Sequence, residues 1–287
     1  MSSVAPISTR TAPPPAHLST RDGTKLHYQV HTAAPARGTV VVAHGFAEHG
    51  GRYLPLVETL VPAGWTVLTY DARGHGLSGG KRVYVEKFSD YTEDLREVLG
   101  FAGRTLPGPL YLFGHSMGGL VALRLMLDAP ELVRGLLVSN PALANRLHVP
   151  AWKTILAKYA SDLLPTLKVP TGLLPQDMSH DPEMVRAYEN DPLNSKVATA
   201  RWYTEYIAAQ AEVVARASEL RKLPTLALLG GGDRVIDSSV AVDFFAKLGD
   251  TATVHMYPGL YHELINEPLA DRTRVLGDMR AWLDSRG

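Results

Sequence analysis

The chain contains no cysteine, carries no net formal charge and has no long apolar run. The absence of cysteine excludes disulfides, thiolate catalysis and cysteine-ligated zinc or iron–sulfur sites. The 29 basic and 29 acidic residues form no basic run, which argues against nucleic acid as a partner. Apolar runs fall short of the roughly 18–20 residues that span a membrane. Metal-ligand and phosphate-loop patterns are also missing, so we expect neither a metal nor another cofactor.

What is present is a globular composition, with 287 residues of which 45% are hydrophobic and 20% charged. This length is at the upper end for one domain and allows a large core. The first 19 residues contain three consecutive prolines and lack the apolar segment of a signal peptide. We therefore predict a flexible Pro-rich tail over residues 1–19 and a cytoplasmic protein.

Short apolar and β-branched runs, typical of strands buried on both faces, recur along the chain at Thr39–Ala43, Trp65–Tyr70, Leu110–Phe113, Gly135–Ser139, Thr225–Leu229 and Thr253–Tyr257. Helical patterns follow at Ser89–Ala102, Asp237–Leu248 and Ala270–Ser285. This alternation predicts a doubly wound α/β core built from residues 20–144 and 218–287.

The alternation is interrupted over residues 145–217, where no strong strand pattern appears and prolines divide the middle. About 70 residues are too many for a plain connection, so we predict a helical cap inserted between two core strands. An apolar stripe lies on one helical face of this segment, at Trp152, Ile155, Leu156, Tyr159 and Leu163. We expect the stripe to pack within the cap; the alternative is that part of it lines an acyl channel or contacts a membrane.

A candidate nucleophile lies in the run Leu110–Gly119, where an apolar strand enters the pattern G-x-S-x-G and an apolar helix follows. A serine on such a sharp strand-to-helix turn is exposed above the sheet edge, next to the N–H groups of the helix N-terminus. This context predicts Ser116 as a nucleophile; the alternative is a glycine-rich turn with a capping serine.

A serine hydroxyl needs a base, and hydrolases with this turn carry their acid and then their histidine after the serine. Of the histidines after Ser116, His262 occupies the turn after the last strand, whereas His255 lies within a strand pattern and His148 and His180 lie in the insertion. We predict His262 as the base.

The acid that orients the base should follow the preceding strand. Asp233 stands at the end of Thr225–Leu229 and its glycine turn, so we predict it as the acid. Asp237 is its near rival, although we expect it to cap the next helix.

The oxyanion formed during attack needs two N–H donors. The candidates are the backbone N–H of Met117, directly after the serine, and that of Phe46, in the loop after the strand Thr39–Ala43. His44 and His75 precede Ser116 in the chain, so we interpret them as histidines that brace loops.

Taken together, these segments resemble the monoacylglycerol lipase and lysophospholipase branch of the α/β-hydrolases. The resemblance rests on His44–His49, Tyr53, Asp71–Ser78, Gly114–Gly119, Asp191–Leu193, Gly232–Val235 and Tyr261–Glu263. It implies an α/β-hydrolase fold, with a mostly parallel sheet of the eight-stranded type flanked by helices and an inserted cap. It also implies a triad of Ser116, Asp233 and His262, an oxyanion hole at Phe46 and Met117, and a headgroup contact at Glu48.

The implied function is hydrolysis of a monoacylglycerol to fatty acid and glycerol through an acyl-serine. A small lipid ester would be the substrate, and a transient contact of the cap with a membrane surface stays open. The alternatives are a lysophospholipase or short-chain carboxylesterase, an acyltransferase or perhydrolase, and a hydrolase-like binding module without activity. The sequence leaves acyl-chain length and oligomeric state undetermined.

Overall fold

The computed structural model describes residues 16–146, 151–220 and 223–286, with the side chains of 151–156 excepted. Within these ranges, the main sheet has eight strands in the spatial order β1-β2-β4-β3-β5-β6-β9-β10. Its strands are β1 Ala16–Ser19, β2 Lys25–His31, β3 Gly38–Ala43, β4 Trp65–Tyr70, β5 Leu110–His115, β6 Gly135–Ser139, β9 Thr225–Gly230 and β10 Ala252–Tyr257. Strand β2 pairs antiparallel with β1 and β4, and the remaining pairs are parallel.

The described helices are α1 Leu54–Leu60, α2 Ser89–Thr105, α3 Met117–Asp128, α4 Ala151–Leu163, α5 Pro182–Asn190, α6 Ala200–Ala215, α7 Ser238–Ala246 and α8 Leu269–Asp284. Six of these helices contribute to two apolar clusters, one on each face of the sheet. The cluster on one face includes α1 and α8, and the cluster on the other includes α2, α3, α6 and α7. The order and pairing are those of an α/β-hydrolase fold, and the predicted fold class is confirmed. None of the described helices is both long and apolar enough to cross a membrane.

Neighbouring residues of each central strand point into opposite clusters. In β3, Val40 belongs to the cluster with α1 and α8, whereas Val41 belongs to the cluster with α2 and α3. Because successive side chains of a strand alternate between faces, a sheet covered on both sides needs an unbroken apolar run. This arrangement confirms the doubly buried strands predicted at Thr39–Ala43, Trp65–Tyr70, Leu110–Phe113, Gly135–Ser139 and Thr225–Leu229. The prediction of burial on both faces is wrong for Thr253–Tyr257, because this run forms β10 at the edge of the sheet, where Val254 and Met256 are exposed.

The tail prediction is wrong for residues 16–19. These residues form β1, in which Leu18 lies opposite Leu26 of β2. A four-residue edge strand is too short to show a period of its own, and its pairing depends on the neighbouring strand. The remainder of the predicted tail, residues 1–15, lies outside the described residues.

The insertion predicted as a helical cap does contain helices, but it also contains two short strands that the sequence did not indicate. Alongside α4, α5 and α6 it contains β7 Lys168–Pro170 and β8 Val197–Thr199, which pair antiparallel. Three-residue strands are too short to show an alternation, and these two are defined by partners 27 to 31 positions away rather than by local pattern.

The packing expected for the apolar stripe of the insertion is contradicted where it can be examined. Tyr159 is 63% and Leu163 is 77% exposed, whereas Ser161 on the same helix is buried and its Oγ accepts a hydrogen bond from Thr204 of α6. Helix α4 therefore packs its small residues against α6 and leaves these larger ones outside. The side chains of Trp152, Ile155 and Leu156 lie outside the described residues.

The approach of α3 to β3 requires glycine at position 118. A Cβ on Gly118 would overlap the backbone oxygens of Ala43 and His44, which cannot move without distorting the sheet. By contrast, a Cβ on Gly277, within α8, would meet no atom within 4 Å. The two glycines therefore form a matched pair for substitution.

We expect Gly118→Ala to lower the free energy of unfolding by about 3 kcal/mol or more, because overpacking against backbone cannot relax. Gly277→Ala should raise it by up to about 1 kcal/mol, because alanine is the better helix former. Urea unfolding followed by circular dichroism measures both. Equal stability of the two variants would contradict the close approach.

Candidate active site

Ser116 occupies the turn between β5 and α3 with φ 51° and ψ −118°. This conformation is unfavourable for a residue with a side chain and persists only where surrounding structure holds it. The Ser116 N–H donates to the carbonyl of Ser139 at 3.0 Å, and the Ser116 carbonyl accepts from the N–H of Ala142 at 3.0 Å. The strained turn is thus held by the segment that follows β6.

His262 and Asp233 form a buried pair at the carboxyl ends of β9 and β10. The Nδ1 of His262 lies 2.7 Å from Oδ2 of Asp233. The second oxygen, Oδ1, accepts the N–H groups of Val235 at 2.7 Å and Ile236 at 2.9 Å. These bonds fix the carboxylate plane, so the imidazole ring has one favoured orientation.

The pKa values of this pair shift toward the charged forms. Burial alone lowers the pKa of His262 and raises that of Asp233, but the attraction between the two charges and their hydrogen bond outweigh it. The net result is a raised pKa for His262 and a lowered pKa for Asp233. An ionised Asp233 accepts the Nδ1 proton, which leaves Nε2 of His262 able to accept another.

Ser116 and His262 both line a cavity of about 620 Å³. Most of its wall is apolar or aromatic and comes from the insertion and the loops around it, including Val169, Leu173, Leu174, Met178, Trp202, Tyr203, Tyr206 and Ile236. Carboxylates line it at Glu48 and Glu263. A pocket of this size with a few polar groups is typical of a small-molecule site.

The two predicted oxyanion donors lie on different elements, Met117 in α3 and Phe46 in the loop after β3, and both have free N–H groups. Met117 is the first residue of α3, ahead of the first hydrogen bond of that helix, which runs from Leu120 N–H to the Ser116 carbonyl at 3.1 Å. Among the described residues, no acceptor binds the N–H of Phe46 or of Met117. The ring of Phe46 stacks on Trp202 of α6, with centroids 3.7 Å apart.

Glu48 holds the loop that carries Phe46. Its Oε1 accepts the N–H of Gly45 at 2.5 Å and the hydroxyl of Tyr53 at 2.7 Å, and its Oε2 accepts Nε of Arg52 at 3.0 Å. Although burial opposes ionisation, Arg52 and the other neighbours lower the pKa of Glu48. Glu48 therefore reaches the cavity as a carboxylate with both oxygens engaged by protein donors.

Arg52 and Glu263 are site residues that the sequence reasoning missed. Arg52 donates through Nη2 to Oε2 of Glu263 at 2.5 Å while it binds Glu48, and its guanidinium lies 4.8 Å from the ring centre of Tyr188. Two signals were available: Arg52 follows Glu48 by four residues, and Glu263 directly follows His262. The contact between them joins positions 211 apart, which no local pattern shows.

The insertion is hydrogen-bonded directly to the loop that carries Phe46. The N–H of Ser195 donates to the carbonyl of Ala47 at 2.9 Å, and Nε2 of His49 lies 2.8 Å from Oδ2 of Asp191. Movement of this part of the insertion would therefore be transmitted to the loop of Phe46.

The residues predicted to have other roles do have them. His44 accepts the N–H of Ala72 at Nε2 and contacts the carbonyl of Gly45 at Nδ1, and His75 contacts the carbonyl of Arg73, so their loop-bracing interpretation is confirmed. Asp237 caps α7 by accepting the N–H of Ser239 at 3.0 Å. His255 lies in β10, His180 binds Glu267, and His148 is outside the described residues.

The sheet order, the strained serine turn and the buried acid–histidine pair define the class of protein, an α/β-hydrolase. The family model described as serine aminopeptidase, S33, matches residues 34–269. The chain belongs to this family of α/β-hydrolases, and its relatives place it among the esterases and lipases.

Three similar proteins illustrate the relationship. The monoacylglycerol lipase of Mycolicibacterium smegmatis is 34% identical over 92% of this chain and 94% of its own length. Phospholipase YtpA of Bacillus subtilis is 29% identical over 85% of this chain and 94% of its own. The crystal structure of Paleococcus ferrophilus monoacylglycerol lipase superimposes with a TM-score of 0.83 at 30% identity, covering 91% of this chain and 99% of that one.

The raised pKa of His262 gives a prediction for ester hydrolysis. A base must be neutral to accept a proton, so kcat/KM should fall as the pH drops through a value above 6.5, the ordinary histidine pKa. The carboxylates facing His262, namely Asp233, Glu263 and Glu48, favour its charged form, while His115 opposes it. Asp233→Asn should move this acid limb to lower pH and reduce kcat by roughly 10⁴-fold.

The control is Asp237→Asn, because asparagine is an equally good helix cap and this side chain binds the first turn of α7. It should leave the limb and kcat of the wild type unchanged. The pH–rate profile with a nitrophenyl ester measures both variants. An unmoved limb in Asp233→Asn, or an equal loss in Asp237→Asn, would remove Asp233 from the role of acid.

Proposed function

We propose that this protein is a serine hydrolase that cleaves the ester bond of a monoacylglycerol to a fatty acid and glycerol. The observation that carries the proposal is the cavity that Ser116 and His262, the partner of Asp233, both line. Its wall is mostly apolar and also includes the buried carboxylates of Glu48 and Glu263. Such a space suits an ester with one long acyl chain and a small hydroxylated leaving group. Relatives named monoacylglycerol lipase support the same substrate class.

The first half of the proposed reaction forms the acyl-serine. Oγ of Ser116 attacks the ester carbonyl as its proton passes to Nε2 of His262, and Asp233 stabilises the imidazolium. The negative charge on the former carbonyl oxygen is held by the N–H groups of Phe46 and Met117, each donor contributing about 10²–10³ in rate. The C–O bond then breaks, and Nε2 returns the proton to the departing glycerol oxygen.

The second half releases the fatty acid. Neutral His262 takes a proton from a water molecule, whose oxygen attacks the acyl carbon through the same oxyanion site. Cleavage of the bond to Oγ, with return of the proton from Nε2, regenerates the Ser116 hydroxyl. An acyltransferase or perhydrolase would replace this water by an alcohol or peroxide, so product analysis with either co-substrate distinguishes these alternatives.

The charge at the polar end of the cavity favours glycerol over a phosphate headgroup. The carboxylates of Glu48 and Glu263 share the single guanidinium of Arg52. A second arginine that lines the cavity, Arg234, is paired at 3.3 Å with Asp177, which lines it as well. An anionic headgroup would meet excess negative charge here, and like charges at short range cost several kcal/mol. The lysophospholipase alternative is therefore less favoured than the monoacylglycerol lipase.

The nucleophile is tested with a fluorophosphonate probe, which labels only an activated serine. Wild type should be labelled, and Ser116→Ala should lose both labelling and hydrolysis of monoacylglycerol by several orders of magnitude. The control Ser285→Ala should behave as wild type. Its neighbour Arg286 accepts a hydrogen bond from Tyr111 at the amino end of β5, the end opposite to Ser116. Equal labelling of wild type and Ser116→Ala would remove Ser116 from the role of nucleophile, whereas no labelling of wild type would support a binding module without this chemistry.

The substrate is tested with lipids that share one acyl chain. We expect kcat/KM for monooleoylglycerol to exceed that for oleoyl lysophosphatidate by at least about ten-fold, because of the repulsion from Glu48 and Glu263. Glu263→Gln removes one carboxylate and keeps the side-chain size, so it should reduce the ratio of kcat/KM for monooleoylglycerol to kcat/KM for oleoyl lysophosphatidate.

Two outcomes would contradict the monoacylglycerol proposal. Equal turnover of both oleoyl lipids would favour the lysophospholipase. Turnover confined to short soluble esters across a chain-length series would favour the carboxylesterase.

A further inference from the structure

Asn140 is a buried polar residue in the segment after β6, outside the cavity wall and without a role in the reaction described above. Its backbone has φ 40°, in the left-handed region where asparagine is better tolerated than most residues. Its own N–H donates to the carbonyl of Leu228 in β9 at 3.0 Å. The side chain is thereby aimed at the loops that leave β9 and β10.

The amide of Asn140 has partners in both of these loops. Oδ1 accepts the N–H of Gly230, the last residue of β9, at 2.7 Å. Nδ2 donates to the carbonyl of His262 at 2.8 Å and to that of Tyr261 at 3.2 Å. One side chain thus connects the loop of Asp233, three residues after Gly230, to the backbone of His262 itself.

The same segment holds the serine turn. The carbonyl of Ser139 accepts the N–H of Ser116, and the N–H of Ala142 donates to the carbonyl of Ser116, both at 3.0 Å. Residues 139–142 therefore bind the backbone of Ser116 through their main chain, and the two other loops through Asn140. All three groups of the triad are positioned relative to this one short segment.

We propose that Asn140 is a positioning residue that sets the distance between His262 and the other two members of the triad. This inference rests on the proposed function, because it needs His262 to act on Ser116. Without the amide, the carbonyls of Tyr261 and His262 lose their donor, and with it the link from this loop to the segment that holds Ser116, while the bond of the imidazole to Asp233 remains. A displacement of about 1 Å in a reacting group can cost roughly 100-fold in rate.

The main variants are Asn140→Gly and Asn140→Asp. Glycine keeps the left-handed backbone accessible and removes only the amide. Aspartate keeps the size and the acceptor for Gly230, but it places an oxygen against the carbonyls of Tyr261 and His262. We expect kcat for a monoacylglycerol to fall roughly 10–100-fold in each, with KM within about two-fold of wild type, because substrate contacts stay in place.

A merely structural role is distinguished by a control and a spectroscopic signature. Thr225→Val removes a buried hydrogen bond to the carbonyl of Leu223 at the amino end of β9, away from the site, and should keep wild-type kcat per folded molecule. In wild type, the proton between Nδ1 of His262 and Asp233 should give a far-downfield NMR resonance. We expect this resonance to shift upfield or broaden in both Asn140 variants and to stay unchanged in Thr225→Val.

Wild-type kcat per folded molecule in Asn140→Gly, or an unaltered resonance in that variant, would overturn the inference. If Asn140→Gly does not fold, the same two readings on Asn140→Asp decide. Failure here is separate from failure of the proposed function. Normal Asn140 variants together with an inactive Ser116→Ala reject only the positioning role, whereas an active Ser116→Ala rejects the reaction.

Discussion

The strained turn at Ser116 is the constraint on which the rest of the site depends. A serine at φ 51° is held there because the last residue of β6 and the segment after it bind its backbone on one side and α3 begins directly after it. The close approach of α3 to the end of β3 in turn requires a hydrogen at Gly118 in place of a side chain. The hydroxyl is thereby presented at the carboxyl edge of the sheet, beside the free N–H groups at the start of α3. The other parts of the site are arranged relative to this turn.

Charge is distributed around the cavity in two separate buried groups. In the first group, the carboxylate of Asp233 accepts two backbone N–H groups and contacts His262. In the second group, Arg52 lies between Glu48 and Glu263, and Glu48 also holds the loop that carries Phe46. Because buried charges without partners are strongly unfavourable, each carboxylate is bonded to donors that fix its position.

Much of the core could be read from local pattern. The doubly buried strands were recognised from unbroken apolar runs such as Thr39–Ala43, because both faces of that sheet are covered by helices. The shortest strands could not: β1, β7 and β8 are three or four residues long, and each exists through its pairing with another strand and not through a pattern of its own. The exposed side of α4 was misread for a similar reason, since an apolar stripe does not state which neighbour, if any, covers it.

In the candidate site, too, some features were predictable from local sequence and others depend on tertiary contacts. The sequence by itself determined which groups are chemically able to react, because the serine turn, its flanking glycines and the order of serine, acid and histidine are local or ordered features of one chain. Only the tertiary structure decided their partners: the 2.7 Å contact of His262 with Asp233, the sharing of Arg52 by Glu48 and Glu263, and the bonds from Asn140 to two loops. Apart from the bond between Glu48 and Arg52, which are four residues apart, these contacts join positions 29 to 211 residues apart. Hydrogen bonds act over about 3 Å of space regardless of separation along the chain.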